Sequence, residues 1–148
     1  MTTSVSESYF WTQVKAGVAT PDHDGEVPHL SRIENTAGTG ISDVSACSRG
    51  VEVWLELKVF HGNDLHFRTS QRIWINARLK AGGRVLVVAR SGDCFLIYKA
   101  SAILAAKYTL HKDGKSFHVK GADLPAPESR GIKPFRWAEI RERLFDTY

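Results

Sequence analysis

Apolar side chains at Val5, Tyr9, Phe10, Val14 and Val18 recur at intervals of three and four residues. That spacing gathers them on one helical face and predicts an amphipathic helix over residues 4–17, capped by Ser4 or Ser6. Residues 19–28, rich in Pro, Asp and Gly, predict a loop. A short strand is expected over 29–34, followed by the small, turn-forming run 35–40. The stretches 44–47 and 51–59 read as antiparallel strands joined by a tight connection at Ser48, Arg49 and Gly50. Thr69 is placed to cap a helix running to Ala81, with Ile73, Trp74, Ala77 and Leu79 as its apolar positions and Gly82-Gly83 as its stop.

After that helix, residues 84–89 (RVLVVA) form a nearly unbroken apolar run, which predicts a strand buried on both faces. Residues 94–98 (CFLIY) follow the turn Ser91-Gly92-Asp93 and should pair with it. Strand, helix, strand in this order implies a right-handed crossover onto a mixed sheet, so the class is α/β. Beyond residue 100 the pattern predicts a helical turn at 103–106, a hairpin over 108–119 turning at Asp113-Gly114, a linker at 125–131 and an amphipathic helix over 134–145 with Pro134 in its first turn. We therefore expect a core in residues 1–100 and a hairpin-and-helix extension in residues 101–148 that binds a partner or dimerises.

Composition narrows the class. With 148 residues, 43% hydrophobic and 24% charged, the chain can bury a core as one domain, and neither disorder nor low complexity fits. No apolar stretch is long enough to span a bilayer and the N-terminus lacks a signal-peptide order, so an intracellular protein without a membrane partner is expected. Cys47 and Cys94 are too few for a disulfide framework and are expected as reduced thiols. The net charge of +4 is modest, but residues 61–90 hold Arg68, Arg72, Arg78, Lys80, Arg84 and Arg90 against one acid, Asp64. Such a one-signed stretch attracts polyanions. Six histidines, His23, His29, His61, His66, His111 and His118, lack the spacing of a zinc site, and isolated surface or DNA-facing roles are expected for them. Trp54, Trp74 and Trp137 are expected in packing. The absence of a Walker loop, a dinucleotide fingerprint and a G-x-S-x-G element disfavours nucleotide-driven and acyl chemistry.

Candidate chemistry lies in residues 43–58. Val51, Val53, Leu55 and Leu57 share one parity, while Glu52, Trp54, Glu56 and Lys58 share the other, so Glu56 and Lys58 project from the same side of one strand. Taken alone, this alternation describes a surface strand with a solvated polar face. Asp43, 13 residues before Glu56, starts the preceding strand, and an antiparallel pair can bring the two carboxylates onto one cation.

These residues resemble the PD-(D/E)xK nuclease superfamily over roughly residues 32–90. Gly40-Ile41-Ser42-Asp43 stands for its G-x-P-D element and Glu56-Leu57-Lys58 for its E-x-K. Arg32-Ile33 and the small-residue turn before Asp43 are similar to the order in archaeal Holliday-junction resolvases, while Gln71 and the strand after Gly82-Gly83 look like the virus-type replication-repair nucleases. Ser42 departs from the family's turn-shaping proline. The resemblance implies a restriction-endonuclease-like core, a mixed sheet flanked by helices. It also implies a Mg²⁺-dependent DNA endonuclease of phage-like type, with Mn²⁺ as substitute, bound through Asp43, Glu56 and the backbone carbonyl of Leu57. Lys58 would orient the attacking water, Gln71 would position Lys58 or that water, and Glu7, with Glu34 competing, would complete the acidic set. His61, His66, Arg68, Arg72, Lys112 and Lys115 are the expected DNA contacts. Branched DNA cut by a homodimer is the favoured substrate; a sequence-specific homing endonuclease and an inactive DNA-binding module are the alternatives.

Overall fold

The computed structural model of the chain describes residues 6–33 and 40–146, so Ser4, Val5, Glu34 and most of the small-residue turn lie outside the described residues. Ser6 caps the first helix, α1 (Glu7–Val18), its hydroxyl accepting from the Tyr9 N–H at 3.1 Å. Phe10, Val14 and Val18, from the apolar stripe seen in the sequence, are buried. β1 (His29–Arg32), β2 (Val44–Ser48) and β3 (Val51–Val59) follow as antiparallel neighbours. The β2–β3 turn has both Arg49 (φ 51°) and Gly50 (φ 80°) left-handed, the backbone that a two-residue hairpin requires. Arg49 tolerates it while paired with Asp22 at 2.6 Å and Asp24 at 3.1 Å.

The chain continues through β4 (Leu65–Arg68), α2 (Thr69–Lys80), β5 (Val85–Ser91), β6 (Cys94–Lys99), α3 (Ala100–Ala105), β7 (Thr109–Leu110), β8 (Ser116–Val119), β9 (Ser129–Ile132) and α4 (Trp137–Asp146). Six strands form one mixed sheet in the order β1-β2-β3-β5-β6-β9, with β3 and β5 parallel across the β4–α2 crossover. β4, β8 and β7 form a second, antiparallel sheet. Residues 84–89 behave as their composition predicts: β5 is central and buried throughout except at Ser91.

Each face of the large sheet has its own core. Leu55, Leu57, Leu86 and Val88 pack with α1 and α4, including Phe10, Val14, Ile140 and Leu144. Val85, Val87 and Ala89 pack on the other side with Ile75 of α2, Ile103 of α3 and Leu65, Phe67, Phe117 and Val119 of the small sheet. Period two along β3 consequently sends Glu56 and Lys58 toward α2 and the small sheet. The tryptophans pack as expected, Trp54 edge-on to Trp74 at 5.1 Å and Trp137 against Phe95 and Phe135. Both cysteines are free thiols. No helix of the described residues is long and apolar enough to cross a membrane.

Several local expectations need correction. Residues 65–68, for which the pattern predicts no element, form a strand, and residues 129–132, expected largely within a linker, form the edge strand β9. Both are four-residue strands whose hydrogen-bonding partners lie far along the chain, β8 and β6, so local pattern alone does not reveal them. Thr69 is the first helical residue of α2 and not its cap, which is Arg68. The last helix starts at Trp137, three residues beyond Pro134.

Candidate active site

Asp43 immediately precedes β2, whose pairing with β3 sets Val44 opposite Leu55. One step further along the same antiparallel register sets Asp43 opposite Glu56, on the face directed toward α2. The Leu57 N–H fixes this arrangement by donating to Asp43 Oδ2 at 2.9 Å. Approach to the helix is close here: Gly40, at φ 70°, lies against the Ser70 backbone, where any Cβ would collide.

The polar face of β3 leaves Glu52 exposed but is not solvated at Glu56 and Lys58, contrary to the surface strand that its alternation describes. Glu56 has 0% of its surface exposed, Lys58 7% and Gln71 4%. Gln71 joins them. Its Nε2 donates to Glu56 Oε1 at 2.8 Å, and its Oε1 accepts from Lys58 Nζ at 3.0 Å and from the Arg68 N–H at 2.8 Å. The last bond caps the first turn of α2, so the amide that holds the two β3 side chains is itself set by the start of the helix. Lys58 Nζ lies 3.7 Å from Glu56 Oε1 and 4.8 Å from the Phe67 ring centre, under the small sheet.

Burial is the main reason the Glu56 carboxyl is pushed well above its ordinary range. Lys58 opposes that shift, while Asp43, whose carboxyl lies within hydrogen-bonding reach, and the charge of Glu7 reinforce it. Asp43, Glu56, Lys58 and Gln71 are therefore assembled as the sequence motifs suggest, and Glu7, exposed in the first turn of α1, is near enough for its charge to be felt. Glu34, its competitor, lies outside the described residues.

Two carboxyl groups in contact need a proton or a cation between them. Glu56 Oε2 is buried with no hydrogen-bond donor among the described residues. A hard divalent cation fits this donor set, because Mg²⁺ and Mn²⁺ prefer carboxylate and carbonyl oxygens. Asp22, His23 and Asp24 also bring three ligand atoms together in the loop after α1. There the Asp22 carboxylate is held at a pKa of about 2, chiefly by its hydrogen bond to Arg49, and serves the β2–β3 turn.

Of the expected DNA contacts, His61, Arg68, Lys112 and Lys115 are exposed and His66 is half-buried. Arg72 is withdrawn from that set. Its guanidinium stacks on Tyr108 at 4.6 Å and Phe117 at 5.6 Å and donates to the Leu104 carbonyl at 3.1 Å, holding α2 against the small sheet. Arg78 lies over Trp54 and Trp74, and Arg90 is buried, so the basic run is not one free surface. Four of the six histidines are not isolated: pairing of β4 with β8 sets His66 opposite His118, with His61 and His111 in ring contact with His66. Sequence spacing missed this group because two segments far apart in the chain, the turn into β4 and the β7–β8 hairpin, supply it.

No protein-family model and no curated protein matches the sequence. Among solved structures, the fold is similar to that of Archaeoglobus fulgidus Hjc, a Holliday junction resolvase from an archaeal hyperthermophile. The TM-score is 0.52 at 10% identity, over 88% of this chain and 96% of that one. Such a match establishes architecture, and with the mixed sheet flanked by helices it makes this chain a restriction-endonuclease-like fold.

Proposed function

We propose that the chain is a divalent-metal-dependent DNA endonuclease of phage-like type that hydrolyses phosphodiester bonds, with branched DNA as its preferred substrate. The observation that carries this reading is the convergence of half-buried Asp43 and buried Glu56 beside a lysine clamped by Gln71. It is supported by the E-x-K resemblance and by a fold shared with a Holliday junction resolvase.

Asp43, Glu56 and the Leu57 carbonyl would hold Mg²⁺, with Mn²⁺ as substitute and Glu7 completing the acidic set. Bound there, the cation supplies Lewis acidity toward the phosphate and lowers the pKa of a coordinated water. Lys58 spends one of its three N–H donors on Gln71 and keeps the others for that water or a phosphate oxygen. Gln71 limits the lysine's rotamers, which preserves alignment for in-line attack. Burial under the small sheet excludes bulk water, so the ammonium acts on developing phosphate charge at low local dielectric. Phosphates on either side would meet His61, His66, Arg68, Lys112 and Lys115. Symmetric cutting of a junction requires two such sites, hence a homodimer.

The test is to incubate the purified protein with four-way junction, flap, linear duplex and single-stranded DNA, in Mg²⁺ and in EDTA. Paired nicks at the junction, abolished by EDTA and by Lys58→Ala, are expected. Cleavage confined to one rare duplex sequence would favour a homing enzyme. Absence of metal-dependent cutting, or full activity of Lys58→Ala, would remove the proposed mechanism.

A further inference from the structure

Four imidazoles meet on the outer face of the small sheet, and the hydrolytic chemistry uses none of them. Period two along β4 buries Leu65 and Phe67 and turns His66 and Arg68 the other way. His66 stacks on His118 with ring centres 5.3 Å apart, and His111 lies 5.1 Å from His118 and 5.7 Å from His66. His61 approaches His66 at 4.9 Å.

Hydrogen bonds order part of this group. His111 Nε2 and His118 Nδ1 are 2.9 Å apart, and His111 Nδ1 is 2.7 Å from Ser116 Oγ. With all rings neutral, the chain is satisfied when His111 donates to His118 and accepts from the Ser116 hydroxyl. One added proton also fits: His111 then donates at both nitrogens and the hydroxyl turns from donor to acceptor. No bond is lost. Both His111 nitrogens are engaged in either state, which leaves no lone pair on that ring for a transition metal.

Charge around the group is one-sided. Among the described residues, His61, His118 and His111 disfavour protonation of His66, and the Asp64 carboxylate favours it weakly. Asp64 Oδ1 also accepts from the Gly121 N–H at 3.2 Å, and Asp113 Oδ1 accepts from the Lys115 N–H at 2.9 Å. Arg68, Lys112 and Lys115 are exposed at adjoining positions. Desolvation is the main reason that His66, without an anion, is held below its ordinary value, and repulsion between the imidazoles adds to it. An arriving anion reverses that balance.

We propose that this histidine cluster binds a phosphodiester of the DNA and takes up a proton as it does so, strengthening DNA binding as the pH falls. The inference rests on the nuclease reading for the source of the phosphodiester. By linkage, affinity rises about tenfold for each unit by which the phosphate raises the imidazole pKa.

The experiment measures binding of a fluorescein-labelled four-way junction and a duplex by anisotropy in EDTA, from about pH 8 to about pH 5.5 at fixed ionic strength. Wild type is compared with His111→Gln and with His61→Gln, which replaces an exposed ring and keeps the test open if the first variant does not fold. Contributions of the active-site carboxyls and of His23 and His29 are common to all three proteins. The proposal expects a gain of about tenfold on acidification for wild type, mostly lost in His111→Gln and reduced in His61→Gln. Parallel pH profiles in all three, with DNA still bound, would overturn the histidine site and leave the nuclease reading standing. Stoichiometric, tight Zn²⁺ binding that is lost in His111→Gln would overturn it in favour of a metal site. Failure of wild type to bind either DNA at any pH would overturn both readings.

Discussion

Replacing Glu56 by glutamine tests the electrostatics of the site apart from its catalysis. In the metal-free protein this carboxyl has no exposed surface, touches a second carboxyl and is pushed well above its ordinary 4.5. A group whose folded pKa is raised contributes stability below the unfolded value, and that contribution is lost as pH rises toward the folded one. At neutrality the cost of keeping the proton is bounded by the distance from 4.5 to 7, at about 1.4 kcal/mol per unit, or about 3 kcal/mol in all. Glutamine keeps the shape, can still accept from Gln71 Nε2, and carries no charge to desolvate. Against this, Lys58 loses a carboxylate 3.7 Å away while retaining the Gln71 carbonyl at 3.0 Å. We expect Glu56→Gln to be more stable than wild type by about 1–3 kcal/mol at pH 7 in EDTA, with the excess vanishing near pH 4.5. Urea unfolding across that range reads it. Saturating Mg²⁺ should stabilise wild type, by about 2.7 kcal/mol at a hundred times Kd, and do little for the variant, which should not cleave DNA. A variant less stable than wild type at pH 7, or an excess that does not change with pH, would refute the reasoning.

Gln71→Leu should cost about 2–4 kcal/mol, because it strips partners from Glu56 Oε1, Lys58 Nζ and the Arg68 N–H together; denaturant melts should show this alongside a fall in cleavage rate of about a hundredfold. Arg72→Ala should lower stability by about 1–2 kcal/mol through its lost stacking on Tyr108 and Phe117, yet leave the salt dependence of DNA binding unchanged. Lys112→Ala should do the reverse, reducing the slope of log affinity against log salt by about one in a titration from low to moderate ionic strength.

The sequence makes the acidic pair legible for a physical reason. Strands β2 and β3 are separated by two residues, so their register, and with it the meeting of Asp43 and Glu56, follows from local geometry. Period two then puts Lys58 beside Glu56 without knowledge of the rest of the chain. What covers that face was not legible. Alternation of Glu52, Trp54, Glu56 and Lys58 looks the same whether water or a second sheet lies over it, and the cover comes from residues 65–119. Arg72 illustrates the same limit: only the packed positions of Tyr108 and Phe117 convert an apparently exposed helical cation into a structural one. The histidine group depends on the pairing of β4 with β8, a contact across some fifty residues that no local pattern encodes.

Thr69, the first helical residue of α2, donates its N–H to the Lys115 carbonyl at 2.9 Å and its hydroxyl to the Gly114 carbonyl at 2.8 Å. Two residues later the same turn carries Gln71. The loop bearing Lys112 and Lys115 is thereby joined through one helical turn to the amide that bonds Lys58 and Glu56. On the proposed reading, one turn of backbone serves both the loop that would hold DNA and the amide beside the cutting site, and Thr69→Ala would release one from the other while sparing each side chain that does either.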